Sequence, residues 1–196
     1  MNFRIQNIIY SFSRWLNLLL EPKKEWKAIA METNSVKSIF IYFAFPVIAV
    51  CSLISSIGAL IHIGSLSIVI SQFVVSFISL NLGFLMAGKM IELLAPNFQL
   101  QIKPSTIYQL IIYSGSVFYL FHSFAKLFSP YSFLNQICLV FELYFIRVLW
   151  LGISPLLPIA ENKRPGFTIV ASLLILVLPL IFERMFSVIF NLPVTI

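Results

Sequence analysis

Residues 38–88 read SIFIYFAFPVIAVCSLISSIGALIHIGSLSIVISQFVVSFISLNLGFLMAG and contain no Lys, Arg, Asp or Glu. His62 is the one side chain in this stretch that titrates near neutral pH. A helix of about 20 apolar residues spans the hydrocarbon core of a bilayer, so this stretch is long enough to cross it twice. The sequence therefore predicts a membrane protein.

The composition of the whole chain agrees with this prediction. Hydrophobic residues make up 60% of the 196 residues, charged residues make up 10%, and the mean hydropathy is +0.98. Soluble domains carry roughly 25% charged residues, so this chain has too little polar surface to stay dissolved. We expect one compact membrane domain.

Apolar runs between charges and turn residues predict five transmembrane helices and thus an all-α integral membrane protein. The predicted spans are residues 38–61, 66–90, 106–125, 133–157 and 167–190. Glycine and proline residues lie between them and predict the turns. This reading divides the chain into a basic arm (1–37), a five-helix domain (38–190) and a short tail (191–196).

The positions of the cations predict the orientation of the chain. Six Lys and Arg residues precede the first span, and four more lie in or beside the connections after spans two and four. The opposite connections contain only Lys126. Because cytoplasmic loops favour Lys and Arg, we expect a cytoplasmic N-terminus and an outer C-terminus. The same positions explain the pI of about 9.5, so no nucleic-acid partner is expected.

The N-terminal arm has the periodicity of an interfacial amphipathic helix over residues 3–20. One stripe is apolar and consists of Ile5, Ile8, Ile9, Phe12, Leu16, Leu19 and Leu20. The opposite stripe is polar and consists of Arg4, Asn7, Ser11 and Arg14. Pro22 suits the first turn of a second short helix. Because Arg14 interrupts the apolar run, we expect no cleavable signal peptide.

The arm either anchors the domain to the membrane or binds a partner. The residues predicted to contact the membrane surface or a partner are Arg14, Trp15, Lys23, Lys24, Trp26 and Lys27. The predicted partners are the lipid bilayer, with its anionic headgroups, and a membrane or cytosolic protein.

Charged residues inside the predicted spans form a candidate polar cluster. Glu142 and Arg147 lie well within the fourth span, where insertion of a charge costs roughly 2.5–3.5 kcal/mol. Five residues correspond to about 140° of helix rotation, so we expect each to reach towards another span. The predicted cluster comprises Glu142, Arg147, Glu183, Arg184, His122, Lys126 and Tyr144. Three roles remain open: ion pairing between helices, a solvated site for an ion, proton or small ligand, and metal binding. No His-x3-His or Glu-x2-His spacing supports the metal.

A strip of small residues in the second span predicts close helix packing. Ser79, Gly83 and Ala87 recur every four residues, either for packing inside the bundle or as the face of a homodimer. Pro46 and Pro179 fall within spans, where we expect each to bend its helix and free a backbone carbonyl for a neighbouring group.

Four stretches of the chain carry a family resemblance. They are Glu21-Pro22 with Trp26 and Ile29, then residues 106–114, 143–152 and 161–164. Together they resemble bacterial members of the Yip (Ypt-interacting protein) domain family over nearly the whole chain. The resemblance implies five spans and a cytosolic N-terminus. Eukaryotic relatives are associated with vesicle traffic and prenylated Rab-type GTPases. This chain lacks their long N-terminal region and its Asp-Leu-Tyr-Gly-Pro type motif, so GTPase binding is not carried over. The resemblance to the compact bacterial form implies a bacterial cytoplasmic membrane.

The sequence contains no motif that nominates a reaction. His-Glu-x2-His, Gly-x-Ser-x-Gly and a phosphate-binding glycine loop with Lys are all missing from it. We therefore expect no enzyme and no cofactor, but an adaptor, scaffold or regulator. The alternative is a transporter subunit or small permeation protein that uses the intramembrane Glu/Arg cluster. No internal duplication typical of inverted-repeat transporters is evident.

Overall fold

A computed structural model describes residues 2–192, with side-chain surroundings for residues 10–62 and 64–192. Within the described residues every regular element is helical and no strand occurs. Five helices are long and apolar enough to cross a membrane: Val36–His62, Leu66–Phe98, Pro104–Leu127, Ser132–Leu156 and Arg164–Ile189. We call them spans one to five. The predicted fold of five transmembrane helices is confirmed, and span two continues past its predicted end at Met90.

Two shorter helices precede the spans, and three of the spans are internally irregular. The first two helices are α1 (Asn2–Leu20) and α2 (Pro22–Ala30). Span one joins two α-helical parts, Val36–Ile39 and Phe45–Ile63, through a π-helical turn, Phe40–Ala44. Span two ends in a 3-10 turn, Ala95–Phe98, after the helix Leu66–Leu94. Span four is interrupted at Leu143 and consists of Ser132–Glu142 and Tyr144–Leu156.

Span three is the central helix of the bundle. It contacts each of the other four spans, and its apolar window is 67% buried, against 33–44% in the others. Aromatic rings fill the space around it. The ring centres of Phe84 in span two and Tyr119 are 4.5 Å apart, and those of Phe145 in span four and Phe118 are 5.6 Å apart. These four rings bury large apolar areas in edge-on or tilted arrangements. Span three thus positions every other span.

Spans two and five pack through the predicted small-residue strip. Ser79, Gly83 and Ala87 are all buried. A Cβ atom added to Gly83 would lie only 2.4–2.8 Å from three atoms of Pro179. The strip therefore serves packing inside the bundle. Its predicted alternative as a homodimer face is wrong, because span five already covers it.

Helix α1 is hydrogen-bonded to the backbone of span one close to Pro46. Proline has no backbone N–H, so Pro46 cannot donate to the carbonyl of Tyr42, four residues earlier. The hydroxyl of Ser11 in α1 donates a hydrogen bond to this carbonyl. This hydrogen bond agrees with the predicted release of a carbonyl at Pro46, and α1 lies beside that carbonyl.

The remaining contacts of α1 and α2 fix both helices to spans three and four as a hairpin. The indole Nε1 of Trp15 donates to the carbonyl of Ser116 at 3.2 Å, and that of Trp26 donates to Val148 at 2.9 Å. The Tyr144 hydroxyl donates to the carbonyl of Leu19 at 3.1 Å. Trp26 lies directly against Gly152, where an added Cβ would come within 2.6 Å of the indole. We call α1 and α2 together the N-terminal hairpin.

The N-terminal hairpin presents a different side to the bundle from the one predicted. Ser11 and Arg14, on the predicted polar stripe, are buried, whereas Leu16 and Leu20, on the apolar stripe, are exposed. The buried polar side is stable because its groups find partners in the bundle, as described below. Phe12 and Leu19, also on the predicted apolar stripe, are partly buried and pack against the core. The other members of the two stripes lie outside the residues whose side chains are described: Arg4, Ile5, Asn7, Ile8 and Ile9.

Candidate functional site

Four of the seven residues predicted for the intramembrane cluster meet in the structure. His122 and Lys126 lie one turn apart on span three. The His122 ring lies between Glu142 of span four (Nδ1 to Oε1, 3.0 Å) and Glu183 of span five (Nε2 to Oε2, 3.4 Å). Lys126 forms an ion pair with Glu183. All four side chains are largely buried. A buried charge is stable only when it is paired, and each carboxylate here has such a partner.

Span two completes this cluster with two residues that the sequence analysis missed. Ser76 donates a hydrogen bond to Glu183 (Oγ to Oε1, 3.2 Å), and Gln72 donates to Ser76 at 3.1 Å. Helical spacing places Gln72 and Ser76 on one face, but the sequence contains many other serines in apolar segments. The contact with Glu183 depends on the packing of span two against span five, which no local pattern encodes. We call these six residues the intramembrane cluster.

The intramembrane cluster is closed by its own hydrogen bonds. With His122 as the imidazolium, two cations face two carboxylates and the cluster is neutral. Both ring nitrogens of His122 face carboxylate oxygens, so neither offers a free lone pair to a metal ion. Among the described residues no group of three or more His, Cys, Asp or Glu is arranged to hold a metal. The geometry is that of a polar joint between four spans.

Arg147, Tyr144 and Arg184 do not belong to the cluster, which corrects the prediction. Arg147 is exposed and its guanidinium lies 5.6 Å from the centre of the Tyr144 ring. Tyr144 itself bonds to α1. Arg184 is exposed on span five. The physical reason is helix rotation: Arg147 points away from Glu142, and Arg184 points away from its neighbour Glu183.

At the end of the bundle where span one begins, which we call the basic end, there is a second polar site. Its centre is Arg14 of α1, whose side chain is only 3% exposed. Arg14 Nε donates to Glu25 Oε1 at 3.0 Å, and Nη1 donates to Glu32 Oε2 at 2.6 Å and to the Tyr113 hydroxyl at 3.3 Å. Tyr10 also bonds to both Arg14 and Glu32. The guanidinium therefore joins α1, α2, the segment after α2, and span three.

Charge pairing at this site shifts the pKa values of its members. Burial opposes the charge on Arg14, but its hydrogen bonds to Glu32 and Tyr113 outweigh burial and raise its pKa. Burial also opposes ionisation of Glu32, but hydrogen bonds from Arg14 and Tyr10 outweigh it and lower the pKa of this carboxyl. Burial and the hydrogen bond to Glu32 raise the pKa of Tyr10. The ion pair is thus stable in its charged form.

A cleft of about 470 Å³ opens beside this ion pair. Its wall is mostly polar or aromatic and consists of Tyr10, Ser11, Arg14, Glu32, Asn34, Ser38, Ile39, Tyr42, Phe43 and Tyr113. Sequence reasoning named only Arg14 among these as a site residue. The signal for the rest was weak, because residues such as Glu32 and Tyr113 are separated from Arg14 by turns whose geometry the sequence does not reveal.

The candidate surface residues of the arm divide into two groups. Arg14, Trp15 and Trp26 are buried, so the prediction that they contact lipid or a partner is corrected: they hold the N-terminal hairpin in place. Lys23, Lys24 and Lys27 are exposed on α2. The buried face of α2 consists of Pro22, Glu25, Trp26 and Ile29. No protein-family model, curated protein or solved structure matches this chain.

Proposed function

We propose that this chain is a non-enzymatic, multi-pass membrane protein of the Yip type that acts as an adaptor, scaffold or regulator of a membrane or cytosolic protein. The observation that supports this most is the fixed N-terminal hairpin. Buried contacts of Arg14, Trp15 and Trp26 hold it against the bundle. Its exposed lysines form a cationic ridge on a rigid support, which loses little conformational freedom on binding an acidic surface.

The proposed location is the bacterial cytoplasmic membrane, with the basic end and the N-terminus in the cytoplasm. Exposed Lys37, Lys89 and Lys103 lie at the same end as the ridge formed by Lys23, Lys24 and Lys27. Lys and Arg near span ends favour the cytoplasmic side. A cytoplasmic ridge is accessible to both soluble and membrane-bound partners.

The test is co-purification of the tagged full chain in mild detergent, with bound proteins identified by mass spectrometry. Replacing Lys23, Lys24 and Lys27 together with Gln should remove the specific partner. The three side chains are exposed, so the bundle should still fold and elute as the wild type does.

The matched control replaces three other exposed cations of the basic end, Lys37, Lys89 and Lys103, with Gln. The proposal expects this variant to keep the partner. Retention of every partner by the α2 variant would overturn the proposal, and so would equal losses in both variants, which would indicate charge attraction without a defined surface.

A second candidate function is a transporter subunit or small permeation protein that uses the intramembrane cluster. The hydroxyl of Tyr119 on span three and that of Ser79 on span two are buried with no hydrogen-bond partner in the described part of the chain. These spans also supply His122, Lys126 and Ser76 to the cluster. Buried unpaired polar atoms are typical of sites where water or a ligand enters.

Glu142→Gln distinguishes the two candidates. Permeation predicts loss of proton flux into proteoliposomes, followed by a pH-sensitive dye, with an unchanged unfolding temperature. Structural pairing predicts no flux in the wild type and a lower unfolding temperature for the variant, because the neutral amide weakens the bond to His122.

A further inference from the structure

We propose that the basic end carries a binding site for the phosphate of an anionic phospholipid headgroup, formed by Arg147 of span four with Lys23 and Lys24 of α2. One cavity of about 350 Å³ is lined by Leu20, Glu21, Pro22, Lys23, Lys24, Arg147 and Leu151. Glu21 is its one carboxylate and pairs with Lys24 at 3.2 Å. Three cations and one carboxylate leave a formal charge of +2 on the cavity wall, which suits an anionic phosphate.

The depth of Arg147 requires a polar environment. It precedes Leu156, the end of span four, by nine residues, or about 13 Å of helix. An exposed Arg surrounded by hydrocarbon is costly. Arg164 of span five reaches nearly the same level, since it donates to the Trp150 carbonyl at 2.8 Å and stacks 4.1 Å over the Trp150 ring. These cations place the headgroup layer at the level of Arg147, between two and three turns short of the helix end.

The surroundings of the cavity favour a lipid over a free phosphate ion. Leu143 lies one turn from Arg147 towards the opposite end of the bundle and is exposed, as is Leu20 in the cavity wall. Acyl chains of a lipid can lie on these side chains while its phosphate contacts the cations. A free phosphate would contact only the cations and would leave this apolar surface uncovered.

The inference deepens the proposed function and rests on it, because Lys23 and Lys24 also belong to the cationic ridge. Lys27 does not line the cavity and remains available to a protein partner. A lipid bound at Arg147 would orient the N-terminal hairpin relative to the membrane surface. Either proposal can be overturned without the other. The partner test substitutes residues of α2 only, and the lipid test below substitutes a residue of span four only.

The experiment is native mass spectrometry of the purified full chain, titrated with palmitoyl-oleoyl phosphatidylglycerol or with the matching phosphatidylcholine. The wild type should bind the first phosphatidylglycerol with a clear preference. Each basic residue near the membrane surface strengthens binding to an anionic lipid. Loss of this one charge in Arg147→Gln should therefore lower the preference about fivefold. Arg147→Lys keeps the charge and should keep most of the preference.

Arg184→Gln is the matched control, because Arg184 is also an exposed Arg in a span but lies outside the cavity. It should bind lipid as the wild type does. An unchanged preference in Arg147→Gln, an equal loss in Arg184→Gln, or a wild type without preference would overturn the site. Displacement of the lipid by excess inorganic phosphate alone would assign the cations to a free anion and also overturn it.

Discussion

Arg14 and Arg147 show how one residue type takes two roles according to its partners. Arg14 is buried because Glu25, Glu32 and Tyr113 accept its hydrogen bonds. Arg147 forms no ion pair with a described residue and is exposed. A buried ion pair contributes to stability only while both partners are present, because removing one leaves an uncompensated buried charge.

At the residue scale, the pH dependence of stability tests the pairing of Glu32. The pKa of Glu32 is lower in the folded chain than its ordinary value of 4.5. The ionised carboxylate therefore stabilises the fold above that pH, and this stabilisation is lost as the pH falls through the lowered pKa. We expect Glu32→Gln to unfold at a lower temperature than the wild type at neutral pH. The difference should shrink as the pH falls below about 4.5.

Thermal unfolding in detergent at a series of pH values measures this difference. Glu21→Gln is the control, because Glu21 forms an exposed pair with Lys24 and surface pairs contribute little. A constant difference between Glu32→Gln and the wild type at all pH values would show that the charge of Glu32 is not what stabilises the site.

At the scale of elements, two kinds of contact join the helices. Spans two and five approach closely because Gly83 leaves room for Pro179. The N-terminal hairpin instead attaches by donating side-chain hydrogen bonds to helix carbonyls, those of Tyr42, Ser116 and Val148. In a membrane, where lipid is as apolar as the helices, such close packing and hydrogen bonding must supply much of the association energy.

The packing of spans two and five leads to a prediction for Gly83→Ala. The new methyl group would lie 2.4–2.8 Å from Pro179, whose ring and backbone cannot move aside easily. We expect a loss of about 1–3 kcal/mol in stability, typical of overpacking, measured as a lower unfolding temperature. Gly166→Ala is the control, since its nearest neighbour is Phe98 at 3.8 Å. Equal effects of both substitutions would contradict the tight contact.

At the scale of the whole molecule, two polar networks hold the bundle together through span three. The intramembrane cluster joins spans two, three, four and five through Ser76, His122, Glu142 and Glu183. The Arg14 network joins the N-terminal hairpin to span three near the basic end. Span three therefore contributes side chains to both polar networks, at two depths.

Five spans place the connection after span two and the connection after span three on opposite faces of the membrane. We expect cysteine at Lys103 to react with an impermeant maleimide only after cells are permeabilised, and cysteine at Tyr131 to react in intact cells. Both positions are exposed. Native Cys51 is buried and native Cys138 is half-buried, so labelling of the unmodified chain supplies the background to subtract. Labelling of both variants in intact cells would contradict the crossing of the membrane by span three.

The sequence alone was enough to predict five spans and their approximate ends, because hydrocarbon accepts long uncharged helices and little else. It also indicated that Glu142, Glu183, His122 and Lys126 share a depth. Composition and spacing carry this information locally, residue by residue.

Only the tertiary structure decided which side chains meet. It brought Ser76 to Glu183 and turned Arg147 and Arg184 away. It also buried three residues of the arm that periodicity predicted to lie on the membrane: Arg14, Trp15 and Trp26. The physical reason is that partners far apart in sequence, such as Arg14 and Tyr113, determine which face of a helix is buried. A helix with polar groups on one side can face either lipid headgroups or a bundle that supplies carboxylates and carbonyls, and its own periodicity is the same in both cases.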